Sequence, residues 1–171
     1  LYQKRLGQAN ALDFDDLIMK TVEVIQRFPE VKARLRSRFR HILVDEYQDT
    51  NHAQYILVKE LVGKDEEGIL AAELCVVGDA DQSIYGFRGA TIRNILQFEL
   101  DYLNAESILL EQNYRSTQDI LSAANAVIEQ NQDRKAKNLW SESGAGASLV
   151  GYVAESEHDE AEFIAGEIKK L

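Results

Sequence analysis

Three short polar clusters carry the residues best suited to chemistry: DEYQD (45–49), GDADQSIYGFRGA (78–90) and EQNYRS (111–116). Each follows directly on a short apolar run, at 42–44, 74–77 and 108–110. In the first cluster Asp45 and Glu46 are adjacent carboxylates. A hard cation such as Mg²⁺ takes oxygen ligands, and a second carboxylate beside it can orient and deprotonate a water. In the second, Gln82 both donates and accepts, so it can bridge a phosphate or an attacking water to another element. Tyr85 and Phe87 flank Gly86, with Arg88 next and Gly89 after. Aromatic faces with a nearby cation hold single strands without sequence preference. In the third, Tyr114 offers another stacking face, and Arg115 at a strand end can reach a phosphate as an arginine finger.

Each cluster also has a plainer reading. An apolar strand ending in Asp-Glu is the Walker-B arrangement of ATPases, yet a lone Asp-Glu is more often a solvated turn that caps the next helix. Tyr85 and Phe87 can be core residues, although two aromatics spaced i, i+2 between glycines suit an exposed loop better than a core helix. Arg115 can equally be a surface cation paired with Glu111.

The elements that must position these residues follow from periodicity and caps. Asp13 caps a helix reaching about Phe28, with Phe14, Leu17, Ile18, Val22, Ile25 and Phe28 on one face. Pro29 interrupts it, and a second helix carries the basic run KARLRSRFR (32–40) to about Phe39. A strand at 42–44 precedes a helix capped by Thr50 or Asn51, with Ala53, Leu57 and Leu61 on one face and Gly63 at its end. KDEEG (64–68) is a charged loop. A strand at 74–77 precedes a helix at 91–100, and a strand at 107–110 precedes a helix opened by Ser116 in a capping box with Asp119. On that helix Ile120, Leu121, Ala124, Val127 and Ile128 form the apolar face. A loop at 141–147, a strand at 149–153 and a helix at 158–171 follow. Strand and helix alternate, and the strands are continuous apolar runs. The expected fold class is therefore α/β, a parallel sheet with helices on both faces. In such sheets ligands bind beyond the carboxyl ends of the strands, where all three clusters fall.

Composition narrows the class. The chain has 171 residues, a formal net charge of −10 and a single cysteine. Net acidity argues against a simple DNA-coating domain, which needs cations to neutralise phosphates, while leaving room for a local groove. The basic run at 32–40 reads as a solvated helix end. Cys75, inside LCVV, reads as a buried side chain in a reducing, cytoplasmic setting. No apolar run reaches membrane-spanning length, so no membrane is expected. Leu1 stands where a helix is already under way, which suggests a fragment.

Taken together, NALDFDDLI (10–18), VDEYQDTN (44–51), VVGDADQSIYGFRGA (76–90) and LEQNYRS (110–116) resemble the UvrD/PcrA/Rep family of superfamily 1 DNA helicases, in order and spacing, over almost the whole chain. The resemblance implies residue roles. Asp45 and Glu46 match the Mg²⁺ ligand and catalytic base, and Gln82 the glutamine that contacts the γ-phosphate of ATP and couples it to DNA. Tyr85, Phe87 and Arg88 match the single-strand-contacting loop. Tyr114 matches a tyrosine that stacks on adenine, and Arg115 an arginine that contacts the γ-phosphate from the second motor domain. Phe87 departs from the tryptophan of many members, keeping a stacking face but losing area and the indole N–H. The family's architecture implies that residues 1–106 are the later part of a first RecA-like motor domain and 107–171 the start of a second.

The function implied is that of a piece of an ATP-dependent 3′–5′ DNA helicase or translocase in repair or replication, using Mg²⁺ and ATP and acting on single-stranded DNA and duplex junctions. A helicase–nuclease of the RecB/AddA kind is a related reading. A non-catalytic module keeping a relic of the motor fold is a reading of another class. No G-x-x-x-x-G-K-[ST] phosphate loop occurs in the chain, so the chain alone is expected not to turn over ATP. Apolar faces lacking their neighbouring strands are expected to favour a non-native dimer.

Overall fold

The computed structural model describes residues 1–63, 72–131 and 137–171; the loop expected at 64–68 lies outside the described residues. The chain divides into two compact units, one up to Ser107 and one from Ile108 to Leu171.

In the first unit a short helix, α1 (Tyr2–Gln8), precedes α2 (Phe14–Arg27). Asp13 caps α2 through a reciprocal box: its Oδ1 accepts from Asp16 N at 2.8 Å, and Asp16 Oδ2 accepts from Asp13 N at 3.4 Å. Only part of the expected apolar face is covered. Ile25 is buried and Ile18 and Val22 are half-buried, whereas Phe14, Leu17 and Phe28 are exposed. Pro29 opens α3 (Pro29–Arg38), a helix with no buried residue. Its basic side chains are solvated or turned to α4 (His52–Val62): Lys32 Nζ lies 2.7 Å from Glu60 Oε2, and Arg36 Nε donates to Glu60 O at 2.9 Å. Gln26 of α2 donates to the other oxygen of Glu60 at 2.9 Å, so one carboxylate joins three helices. The Lys32 hydrogen bond holds the Glu60 carboxyl below the usual range. Asn51 and Gln54 form a second capping box at the start of α4. Gly63 ends α4 at φ 63°, where a Cβ would run into the Arg36 guanidinium.

Strands β1 (His41–Val44) and β2 (Glu73–Val76) pair in parallel, with Ile42 opposite Leu74 and Val44 opposite Val76. Their backbone bonds continue past the strand ends: Val77 N donates to Val44 O at 2.8 Å and Tyr47 N to Val77 O at 2.9 Å. The sequence expectation of helices on both faces needs correction. His41, Leu43, Glu73 and Cys75 form an exposed face, with Leu43 at 78% exposure, and Ile42, Val44, Leu74 and Val76 are only half-buried. Cys75 is accordingly exposed rather than buried. The described residues supply two strands to this sheet, and a parallel strand is buried on both sides only when helical layers cover it. The helix expected at 91–100 is two short pieces, α5 (Arg93–Leu96) and α6 (Phe98–Asp101), separated at Gln97.

The second unit contains α7 (Gln118–Ile128) and α8 (Glu157–Ile168). The strands expected at 107–110 and 149–153 do not form among the described residues. Ile108, Leu109, Leu110, Val150 and Val153 are exposed, and pairing is confined to a parallel bridge between Gln112 and Trp140. A strand exists only where a neighbouring strand satisfies its backbone, and among the described residues no ladder forms along these runs. The cap of α7 also differs. Its N-cap is Thr117, without a side-chain bond, and no Ser116–Asp119 box forms. Instead Gly144 O and Ala145 O accept from Gln118 N and Asp119 N, at 2.8 and 3.1 Å. Leu121 is buried, while Ile120, Ala124 and Val127 stay exposed. Ser156 caps α8, and Tyr152 and Phe163 stack at 3.9 Å between centroids. Among the described residues, no helix is long and apolar enough to cross a membrane.

Candidate functional site

The chain turns sharply where β1 ends. Glu46 sits at φ 49°, ψ 43°, the left-handed region, which costs a side-chain-bearing residue roughly 1–2 kcal/mol. Its neighbours over-determine that conformation. Asp45 Oδ1 accepts from Glu46 N at 2.9 Å. Tyr47 is fully buried, its N–H tied to Val77 and its ring edge-on to Phe98 at 5.7 Å. Burial raises the Tyr47 phenol above its ordinary pKa. A 3₁₀ turn over Tyr47–Asp49 follows, with Thr50 Oγ1 donating to Tyr47 O at 2.7 Å. Tyr47 thus enters the core while Asp45 and Glu46 remain exposed at the sheet edge. Among the described residues no group of three or more His, Cys, Asp or Glu gathers to cage a metal. An open pair of carboxylates still fits Mg²⁺, which takes one or two carboxylates and fills its remaining positions with water and phosphate oxygens.

Gln48, buried with 1% exposure, joins this edge to the end of β2. Its Nε2 donates to Glu46 Oε2 at 2.8 Å and, longer, to Asp49 Oδ2 at 3.4 Å; its Oε1 accepts from Asp79 N at 3.0 Å. Asp79 in turn accepts from Asp81 N at 2.9 Å and from Gln82 Nε2 at 2.8 Å. The structure therefore brings Glu46 and Gln82 into one hydrogen-bonded chain through Gln48 and Asp79. Sequence reasoning marked both ends of that chain and missed the two residues between them. The available signal was an amide wedged between acids directly after a strand, in DEYQD.

The aromatic loop leads away from the same edge. Gly86–Arg88 form a single 3₁₀ turn closed by Gly89 at φ 82°. Phe87 is 80% exposed, and Arg88 lies 4.9 Å from the Tyr85 ring centroid and 5.3 Å from that of Phe87. The three side chains form one aromatic–cation group in which Phe87 and Arg88 are exposed and Tyr85 is half-buried. Behind it the loop is pinned to the β1 turn. Asn51 bridges Ala90, Thr91 N donates to Thr50 O at 3.2 Å, and buried Asn94 Nδ2 donates to Thr50 O and Oγ1 at 3.1 and 3.0 Å.

In the second unit Tyr114 and Arg115 lie on a bend before α7. Asn113 Oδ1 accepts from both Arg115 N and Ser116 N, at 2.9 and 2.8 Å, which fixes the bend. Tyr114 is 82% exposed and its hydroxyl donates to Gln112 Oε1 at 2.9 Å. Glu111 Oε1 accepts from Asn138 N at 2.9 Å. Among the described residues Arg115 forms no ion pair with it, and both Arg115 and the Tyr114 ring are open to solvent.

Two family profiles match the chain: "UvrD/REP helicase N-terminal domain" over residues 1–103 and "UvrD-like helicase C-terminal domain" over residues 108–171. Among curated proteins, the chain is 67% identical over 171 residues to the ATP-dependent DNA helicase UvrD1 of Mycobacterium tuberculosis. It is 53% identical over 170 residues to the ATP-dependent DNA helicase PcrA of Leuconostoc citreum. Each match covers 99% of this chain, which spans 22% of the length of these relatives. With profiles on both sides of residue 105 and this level of identity throughout, the chain belongs to the UvrD/Rep helicase family.

Proposed function

We propose that this chain is the part of an ATP-driven DNA helicase in which the hydrolytic carboxylates meet the DNA-contacting loop. Residues 1–106 form the later part of a first RecA-like motor domain, and residues 107–171 begin a second. The observation that carries the reading is the hydrogen-bonded chain from Glu46 through Gln48 and Asp79 to Gln82. It starts at an exposed strand-end acid and ends three residues before Tyr85, the half-buried member of the Tyr85–Phe87–Arg88 group. The names of the two relatives reported above, both ATP-dependent DNA helicases, support the same function.

In this reading Asp45 and Glu46 would hold Mg²⁺, which supplies charge neutralisation on the phosphate oxygens. Glu46 orients the attacking water and accepts its proton. Gln82 contacts the γ-phosphate, and its bond to Asp79 makes its position depend on the β2 end. Arg115 stabilises charge on the transferring phosphoryl group and Tyr114 stacks on adenine. Tyr85 and Phe87 stack on bases of single-stranded DNA, with Arg88 adding a cation against the rings and the strand. Partners are single-stranded DNA and single-strand/duplex junctions, and travel is 3′ to 5′.

Strand displacement by the intact protein tests this. With Mg-ATP, a partial duplex carrying a 3′ single-stranded tail should be unwound and one carrying only a 5′ tail left intact. Failure to displace either strand, or displacement indifferent to ATP, would refute the proposal.

A further inference from the structure

We infer that Gln48 is a positioning residue for hydrolysis: its buried amide holds the Glu46 carboxylate in place and makes that placement depend on the loop at the end of β2. The inference rests on the ATPase reading of Glu46. Gln48 is 1% exposed, so its amide cannot be satisfied by bulk water, and a buried amide left unpaired is costly. Every polar atom of that amide is engaged. Nε2 donates to Glu46 Oε2 at 2.8 Å and reaches Asp49 Oδ2 at 3.4 Å, while Oε1 accepts from Asp79 N at 3.0 Å.

This arrangement suits a positioning role for three reasons. Glu46 has an exposed side chain on a backbone in the left-handed region, so its carboxylate needs a fixed partner to point one way. That partner is a neutral donor, which orients a carboxylate without neutralising it as a lysine would. Its other end is clamped from the opposite strand end by Asp79 N, so a shift of the β2 loop would pull the amide away from Glu46. Gly78 makes the clamp sterically possible. A Cβ there would stand 2.5 Å from Gln48 Oε1, 3.0 Å from Ile95 Cδ1 and 3.1 Å from Tyr47 N, leaving no room for the amide where it now lies.

Two substitutions in the intact protein test the inference from opposite sides. Gln48→Glu keeps the shape and the acceptor for Asp79 N but removes the donor to Glu46. Gly78→Ala leaves Gln48 and Glu46 chemically unchanged but occupies the space of the amide. Single-stranded-DNA-stimulated hydrolysis is measured as kcat and KM for ATP. Turnover is normalised to binding-competent sites, counted by titration with a fluorescent ATP analogue, so that loss of folded protein is not read as loss of catalysis. Both variants should lose about tenfold to a hundredfold in kcat per site, the cost of a misplaced catalytic group, with KM for ATP moving less than about twofold. Unchanged kcat per site in both variants, or a loss carried by KM, would overturn the inference. Glu46→Gln separates this failure from that of the underlying reading. If it abolishes hydrolysis while Gln48→Glu and Gly78→Ala leave kcat per site unchanged, only the role of Gln48 fails. If it leaves hydrolysis intact, the ATPase assignment falls and the inference falls with it.

Discussion

Phe87 presents an 80% exposed ring, held beside Tyr85 by a shared arginine, on a loop whose far side is pinned by Asn94 and Thr50. An exposed aromatic on an anchored loop is pre-organised to stack. Base–aromatic stacking contributes about 1–3 kcal/mol per base by alanine substitution. Phe87→Ala should therefore weaken single-stranded DNA binding by the intact protein by about tenfold or more, and Phe87→Trp should tighten it. Fluorescence anisotropy with a labelled oligonucleotide checks both, and equal affinity for all three proteins would refute the stacking role. The exposure of Phe87 was legible in the sequence because glycines on both sides deny it a helix. The left-handed backbone of Glu46 was not, since glutamate carries no preference for it. Gln48 was legible only as an amide among acids, because its role depends on a partner 31 residues away.

At the scale of elements, the cap at Asp13 was legible, and the cap at Asn51 as one of two candidates, because each cap finds its partner within one turn. The box at Ser116 failed for a tertiary reason, since carbonyls from 144–145 already satisfy the first N–H groups of α7. The apolar runs at 107–110 and 149–153 have strand composition, yet among the described residues neither forms a strand, and composition cannot supply a neighbouring one. Glu60 ties α2, α3 and α4 through Gln26, Lys32 and Arg36. Its carboxyl pKa lies below the usual value when folded. The stability it contributes is thus present above the ordinary carboxylate pKa and lost as pH falls through the depressed one. Glu60→Gln should lower stability near neutral pH by about 1 kcal/mol and flatten the acid limb of melting temperature against pH. An acid limb unchanged in the variant would contradict this.

At the scale of the whole molecule, alternating strand and helix placed the chain in the α/β class, and a parallel pair with helices is observed. Two-sided burial was misread, because apolar strands signal the layers they need and not whether those layers lie within these 171 residues. Leu43, Ile108, Leu110, Val150 and Val153 are all more than 70% exposed. The isolated chain should therefore self-associate as its concentration rises, a change that sedimentation velocity would detect. A single monomeric species at every concentration would contradict it. Without a phosphate loop in its sequence, the same chain should show no Mg²⁺-dependent ATP hydrolysis by itself.

The central claim is that the β1-end carboxylates hydrolyse ATP under the control of DNA. Its most direct test is steady-state ATP hydrolysis by the intact protein, with and without single-stranded DNA, beside Glu46→Gln. We predict strong stimulation by DNA and a loss of about 10²–10⁴-fold in the variant, the range for removing a catalytic base. Absence of hydrolysis by the folded, unsubstituted protein in either condition, or hydrolysis that survives Glu46→Gln, would contradict the account.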